Sequence, residues 1–198
     1  MLETLLAWLA VVLLLGTSSS LLLNRDRRID LVLLAIQYLG VAVLVAQHLP
    51  VGMAAAKLVT GWMATAALGM TLIAMPPHEE TSEGFWPRGR AFRLFMVGMV
   101  VVLTVALTTR IEDAIPGIGM PVVAGSVLLI GIGLLHLGTS SQIERVIFSL
   151  LTILAGFEIL YAAVESSILV AALLAMVNLG LGLVGAYLLS ASLPEETL

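Results

Sequence analysis

Residues Glu144–Ser190 read ERVIFSLLTILAGFEILYAAVESSILVAALLAMVNLGLGLVGAYLLS, two adjoining apolar segments that decide the fold. Each is about as long as the roughly 20 residues that an α-helix needs to cross a bilayer. Glu158 lies well inside the first segment, and Asn178 lies near the middle of the second. An acid at such a depth is costly and by default marks a functional position. These two residues are therefore the first candidates for a site.

The composition of the whole chain agrees with these two segments. The 198 residues are 60% hydrophobic and 11% charged, far from the composition of a soluble domain. Seven apolar stretches of spanning length predict an all-α integral membrane protein with about seven transmembrane helices. The net charge of -4 argues against nucleic-acid binding, which needs a basic face. The absence of cysteine excludes disulfides, thiolate metal sites and iron–sulfur ligation.

Charged clusters and turn residues divide the chain into spans. The first begins with an acid, Glu3, and lacks the basic start of a signal peptide, so we expect it to be retained. The sixth span runs from Glu144 to near Glu165, and the seventh ends near Ser190. Charges and prolines place the other five spans at about 3–23, 30–48, 51–75, 92–109 and 119–137. The IEDAIPG segment after the fourth span is predicted to be a turn.

The spans group into a possible internal repeat. Gly16-Thr17-Ser18-Ser19 recurs as Gly138-Thr139-Ser140-Ser141, which suggests a 3+1+3 arrangement like the parallel repeats of some transporters. The expected parts are an N-terminal three-helix half (1–75), a polar interfacial loop (76–93), a linking helix (94–116) and a C-terminal three-helix half (117–198). Gly180, Gly182 and Gly185 would allow a close helix contact in the last span.

Arginines in the short loops predict the orientation. Cytoplasmic loops carry an excess of Lys and Arg, and Arg110 is the loop arginine on the opposite side. The N-terminus is therefore expected outside and the C-terminus inside. The arginines expected inside are Arg25, Arg27, Arg28, Arg88, Arg90, Arg93 and Arg145.

Helical rise places the buried polar side chains by depth. Lys57 and Glu158 come out about 9 and 10 Å from the outer surface, so we expect them to pair across the bundle. Gln37 and Asn178 come out near the middle, at about 16 and 18 Å. Helical spacing also puts Tyr161 on the stripe of Glu158, with Glu165 beyond it, as a polar track leading outward.

Each of these residues has a structural alternative. Lys57 can snorkel to the headgroups instead of pairing. Glu158 can bond a neighbouring subunit or a backbone group, and Gln37 and Asn178 can join helices by hydrogen bonds instead of lining a hydrated path. His136, near the inner end of its span, more often marks an interface than a metal ligand. Without a phosphate loop, paired haem ligands or a dinucleotide motif, we expect no cofactor, no metal and no catalysis by this chain itself.

One motif resembles a known family. Gly156-Phe157-Glu158 in the penultimate helix, followed by a last helix with small residues around Asn178, resembles the K subunit of complex I. With an additional N-terminal half and Lys57 in the third helix, the chain looks like the E subunit of hydrogenase-four-type formate hydrogenlyase. The C subunit of multi-subunit sodium/proton antiporters is similar as well. The complex I subunit has a second acid in its last helix, where this chain offers Asn178.

The resemblance implies an accessory subunit of a proton- or sodium-translocating complex in a bacterial or archaeal cytoplasmic membrane. Its partners would be antiporter-like membrane subunits within the lipid bilayer, Glu158 would exchange protons, and Lys57 would be its basic partner. Two alternatives remain open. One is a structural or assembly subunit that conducts no ions, and the other is a small transporter that works alone.

Overall fold

The computed structural model describes residues 1–24, 26–75, 90–165 and 167–192. In these residues the chain forms seven α-helices and no strand, and all seven are long and apolar enough to cross a membrane. The predicted all-helical membrane fold is thus confirmed. The helices are α1 (Leu2–Leu23), α2 (Arg27–Val45), α3 (Val51–Ala74), α4 (Arg90–Ala114), α5 (Met120–Thr139), α6 (Ile143–Val164) and α7 (Ile168–Ala191).

The start and end of α2 differ from the prediction. The helix begins at Arg27 instead of Asp30 because the side chain of Asp26 accepts a hydrogen bond from the backbone N–H of Arg28 at 3.0 Å. Such an N-cap satisfies a donor of the first turn and lets the helix start among charged residues. At the other end α2 stops at Val45, and the chain turns before Pro50, the N-cap of α3.

The largest boundary error concerns α4. It was expected over 92–109, but it runs from Arg90 to Ala114, so the first residues of the predicted IEDAIPG turn are helical. The charged residues after Thr109 end the apolar stretch, but the backbone hydrogen bonds of the helix continue through them. The helix ends just before Pro116, because proline disfavours helical conformation at the residue before it. Most of the predicted interfacial loop, with Arg88, lies outside the described residues, as do Arg25 and residues 193–198.

The helices pack as two rows of three. In one row α2 lies between α1 and α3, and in the other α6 lies between α5 and α7. Across the rows α1 packs on α5, α2 on α6 and α3 on α7, and α4 packs against the outside of α5. Two four-helix groups therefore share the α2–α6 contact: α1, α2, α5 and α6 form one, and α2, α3, α6 and α7 form the other.

The first of these groups is apolar where α1, α2 and α5 meet. Leu14 of α1 and Leu44 of α2 are fully buried and lie where a β-carbon on Gly125 of α5 would point. Glycine at this position therefore lets the two leucines reach the α5 backbone. The Gly16–Ser19 segment lies within α1, whereas Ser140 and Ser141 follow the end of α5, so the two similar segments do not occupy equivalent places.

One end of the bundle holds five of the six described arginines, and we call it the arginine-rich end: Arg27, Arg28, Arg90, Arg93 and Arg145. Here Arg93 of α4 donates to Leu22 O at 3.0 Å, and Arg145 of α6 donates to Asn24 O at 3.1 Å. Cations at a helix C-terminus interact favourably with its unpaired carbonyls and its dipole. The end of α1 is thus tied to two helices that follow much later in the chain.

Candidate functional site

Lys57 of α3 and Glu158 of α6 form an ion pair inside the bundle. Lys57 Nζ lies 3.3 Å from Glu158 Oε1, and the side chains are 5% and 2% exposed. Charges at membrane depth are tolerated when they face the interior and pair with one another. The pairing predicted from equal depth is confirmed, and Lys57 does not snorkel to the surface in this structure.

The pair spans a diagonal of the second four-helix group. In that group α2 packs on α3, α3 on α7, α7 on α6 and α6 on α2, whereas α3 and α6 face each other without close packing. The second diagonal is bridged as well, because Tyr38 of α2 donates its hydroxyl hydrogen to Asn178 Oδ1 of α7 at 2.8 Å. This group therefore has a polar interior, in contrast to its neighbour.

A glycine positions Tyr38. A β-carbon on Gly61 of α3 would collide with the Tyr38 ring, so the ring lies directly against the α3 backbone. Gly61 follows Lys57 by one helical turn, on the same face of α3. Both diagonal bridges thus lie within about one turn of each other.

Gln37 extends the polar interior along the α2–α6 edge. Its Nε2 donates to Thr152 Oγ1 at 3.3 Å, and Thr152 in turn donates to Phe148 O at 2.8 Å. Gln37 Oε1 is buried without a hydrogen-bond partner among the described residues. The same holds for Lys57 Nζ, which is within ion-pair distance of Glu158 but is not aligned for a hydrogen bond. Buried polar atoms of this kind call for water.

The position of Glu158 is set by a close contact between α5 and α6. Gly156 faces the α5 backbone, where a β-carbon would lie 2.8 Å from Ser126 O. Ser126 Oγ also donates to Gly156 O at 2.7 Å. The glycine of the Gly156-Phe157-Glu158 motif is thus a packing residue, and it fixes the helix that carries the carboxylate.

The two residues of the predicted outward track lie elsewhere. The Tyr161 ring packs on Phe157, an exposed residue, with ring centroids 6.0 Å apart. Glu165 caps the next segment, since its Oε1 accepts from the backbone N–H of Ser167 at 3.1 Å. The structure therefore brings together Lys57 and Glu158 but places Tyr161 and Glu165 outside this set.

Sequence reasoning missed two members of the polar interior, Tyr38 and Thr152, and also the burial of Asp30. Asp30 is buried at the arginine-rich end, where it accepts from Asn24 Nδ2 at 2.9 Å, with Arg145 and Glu144 close enough to act on its charge. Its place directly after a charge cluster gave no sign that it is buried. Tyrosine and threonine are common in packed helices. Tyr38 and Thr152 differ from the others only by their hydrogen bonds to Asn178 and Gln37, which the sequence does not show.

No group of three or more His, Cys, Asp or Glu that could hold a metal ion occurs in the described part of the chain. His136 is buried near the end of α5, with Nε2 unpartnered among the described residues. Comparison of the chain with protein-family models, curated proteins and solved structures found no match. Any functional conclusion therefore depends on the polar interior itself.

Proposed function

We propose that this chain is an accessory membrane subunit of a proton- or sodium-translocating complex, of the type of complex I, group 4 hydrogenases or multi-subunit sodium/proton antiporters. Glu158 would bind and release the translocated ion, and Lys57 would be its counter-charge. Antiporter-like subunits would be the partners, in the cytoplasmic membrane of a bacterium or archaeon.

The buried Lys57–Glu158 pair is the observation that carries this proposal. Pairs that only stabilise a fold gain little, because the cost of removing two charges from water offsets most of their attraction. Intramembrane acids instead recur in proton relays and ion pathways. A carboxylate beside an ammonium can take up a proton or a cation and release it while the total charge in the low-dielectric interior stays small.

The finer topology is part of the same proposal. The described arginines favour a cytoplasmic arginine-rich end, which puts the start of α1 outside. The two packed rows are compatible with three helices on each side of a linking α4. The exposed apolar faces of α4 and α7 are wide enough for both lipid and neighbouring subunits.

Replacement of Glu158 by Gln tests the proposal in the native complex. Glutamine keeps the volume and a side-chain oxygen near Lys57, but it cannot exchange a proton. We expect ion translocation in membrane vesicles to fall at least about tenfold, as for loss of a general acid–base group, with assembly of the complex unchanged. Glu165→Gln is the matched control, since Glu165 is exposed at the end of α6.

Unchanged translocation by an assembled E158Q complex would refute the ion-translocating role. It would favour a structural subunit, for which the structure offers a specific observation: the Tyr38–Asn178 and Gln37–Thr152 hydrogen bonds join α2 to α7 and to α6. In membranes such interhelical bonds contribute about 0.6 kcal/mol each on average. A structural role predicts that E158Q loosens the complex while any assembled fraction translocates at the normal rate.

A further inference from the structure

The polar groups around the ion pair extend in one direction only. Counted from Arg27 and Ile143, at the arginine-rich end, Gln37 and Thr152 lie about 15 and 14 Å deep, and Glu158 lies about 22 Å deep. Tyr38 and Asn178 lie between these levels. A succession of hydrogen-bonding side chains thus leads from the pair toward the arginine-rich end, as far as Gln37 and Thr152.

The shorter way out of the bundle is apolar. Outward of the pair, the helical positions that follow on the same faces are Ala54 on α3 and Ala162 on α6, and both are buried. Tyr161 and Glu165, the polar residues nearest this exit, make their contacts with Phe157 and Ser167. No described polar side chain therefore joins the pair to the nearer surface.

Bound water is needed in the interior of the second four-helix group. Gln37 Oε1 and Lys57 Nζ are buried and lack hydrogen-bond partners among the described residues. Buried waters typically serve such otherwise unsatisfied groups. The two diagonals of this group are bridged by side chains instead of direct helix packing.

We propose that the Lys57–Glu158 pair exchanges protons with the arginine-rich end of the bundle, through bound water lined by Gln37, Tyr38, Thr152 and Asn178. This inference rests on the proposed ion-translocating function and adds its direction. Each water in the chain accepts one proton and passes one on, and the last proton forms the O–H bond of Glu158. Return of that proton to water restores the carboxylate.

Asp30 lies at the entrance of this route. It is 5% exposed and lies on α2 about 10 Å closer to the arginine-rich end than Gln37, on the same face of the helix. Between them lies an apolar layer in which Leu34 and Phe148 are fully buried. Apolar constrictions open and close by wetting and drying, so this layer is the gate of the route.

Thiol labelling tests the route directly, because the natural chain contains no cysteine. Thr152→Cys places a thiol in the proposed water, and Val97→Cys is the control, buried at a similar depth in α4. In membrane vesicles of each orientation, a membrane-impermeant methanethiosulfonate is added to one face. Because only a hydrated thiolate reacts, we expect T152C to react at least about tenfold faster than V97C, and only from the arginine-rich face.

A second pair of variants keeps the test decisive if T152C does not fold. Asn178→Cys puts a thiol in the same water with a small change of volume, and it should show the same sidedness. Leu34→Ala, added to either thiol variant, thins the apolar layer and should speed labelling from the arginine-rich face alone. The route is refuted if the folded thiol variants react no faster than V97C, or if they react from the opposite face.

The labelling result and the E158Q result are separable. Loss of translocation in E158Q together with labelling from the opposite face leaves the proposed function in place and overturns the direction of access. Labelling from the arginine-rich face together with normal translocation by E158Q shows the water but removes the function on which this inference rests, and so overturns it as a proton route.

Discussion

At the scale of single residues, the contact between Gly61 and Tyr38 matters most for the geometry of the site. The Tyr38 ring occupies the space that any larger residue at 61 would need. From there its hydroxyl reaches Asn178 on the opposite helix. The polar interior is thus held in shape by a residue without a side chain, one turn from Lys57.

Gly61→Ala should destabilise the protein. Because the added methyl group would collide with the Tyr38 ring, ring or helix must move, and overpacking of this kind costs about 1–3 kcal/mol. The free energy of unfolding in detergent, measured by denaturant titration, gives the size of the effect. Gly98→Ala is the control: nothing lies within 4 Å of a β-carbon there, so alanine should be neutral or stabilise by up to about 1 kcal/mol.

Equal loss of stability in both variants would contradict this assignment of Gly61. A smaller loss for G61A in a chain that already carries Tyr38→Leu would support it, because leucine lacks the ring with which the new methyl group collides. Nonadditive effects of this kind are expected only for residues in contact.

The ion pair itself was predictable, but its surroundings were not. Lys57 and Glu158 stand out in apolar sequence, and helical rise alone gives them equal depth. Tyr161 and Glu165 were predicted to extend the polar face of Glu158. In the structure the Tyr161 ring packs on Phe157, and Glu165 accepts a hydrogen bond from the next segment. Periodicity gives neighbours on one helix, whereas Tyr38 and Thr152 acquire their roles from contacts between helices distant in sequence.

At the scale of helices, α3 and α7 meet through small residues. Gly182 of α7 faces Ala64 of α3, where a β-carbon would lie 2.7 Å from the alanine Cβ, and Gly185 faces Leu68 and Ile147. The predicted close contact is confirmed for these two glycines and is wrong for Gly180, which faces open space. Small residues let helix backbones approach closely in membranes, where apolar burial gives little drive.

Gly182→Ala should push α7 away from α3. We expect a loss of about 1–3 kcal/mol. The distance between Tyr38 and Asn178 should also lengthen, because Asn178 moves with α7 whereas the Tyr38 ring lies against the α3 backbone. Gly180→Ala, two residues away in the same helix, is the matched control and should change little. Thermal unfolding of the purified protein compares the two, and a G180A variant as unstable as G182A would contradict the assignment.

Helix boundaries show where charge patterns mislead. The start of α2 and the end of α4 were predicted where the apolar sequence meets charged residues. A charged residue, however, limits burial in hydrocarbon and does not end a helix. Asp26 starts α2 with a capping hydrogen bond, and α4 continues through Glu112 and Asp113 to Ala114. Caps and prolines, which act on backbone hydrogen bonds, determine these ends.

At the scale of the whole molecule, the two four-helix groups differ in their interiors. One is apolar around Leu14 and Leu44, and the other contains the Lys57–Glu158 ion pair and the Tyr38–Asn178 hydrogen bond. The seven-helix fold followed from hydropathy alone, since apolar stretches of spanning length have few alternatives in a bilayer. The division between the groups depends on packing across the rows, which hydropathy does not encode.

The orientation of the molecule can be tested with the same cysteine-free background. Glu3 and Arg28 are exposed at opposite ends of the bundle. On intact cells, an impermeant maleimide should label Glu3→Cys and leave Arg28→Cys unlabelled until the membrane is permeabilised. Labelling of R28C but not of E3C on intact cells would reverse the orientation that the arginines predict.

The diagonal ion pair also has a consequence during synthesis. Glu158 follows Lys57 about 100 residues later, so at about 5–20 residues per second α3 exists for several seconds before its counter-charge is made. During that interval the lysine must stay hydrated or be shielded by the insertion machinery. Assembly of the α3–α6 diagonal is therefore a late event in biogenesis, and nascent chains released before α6 should be the ones recognised by membrane quality control.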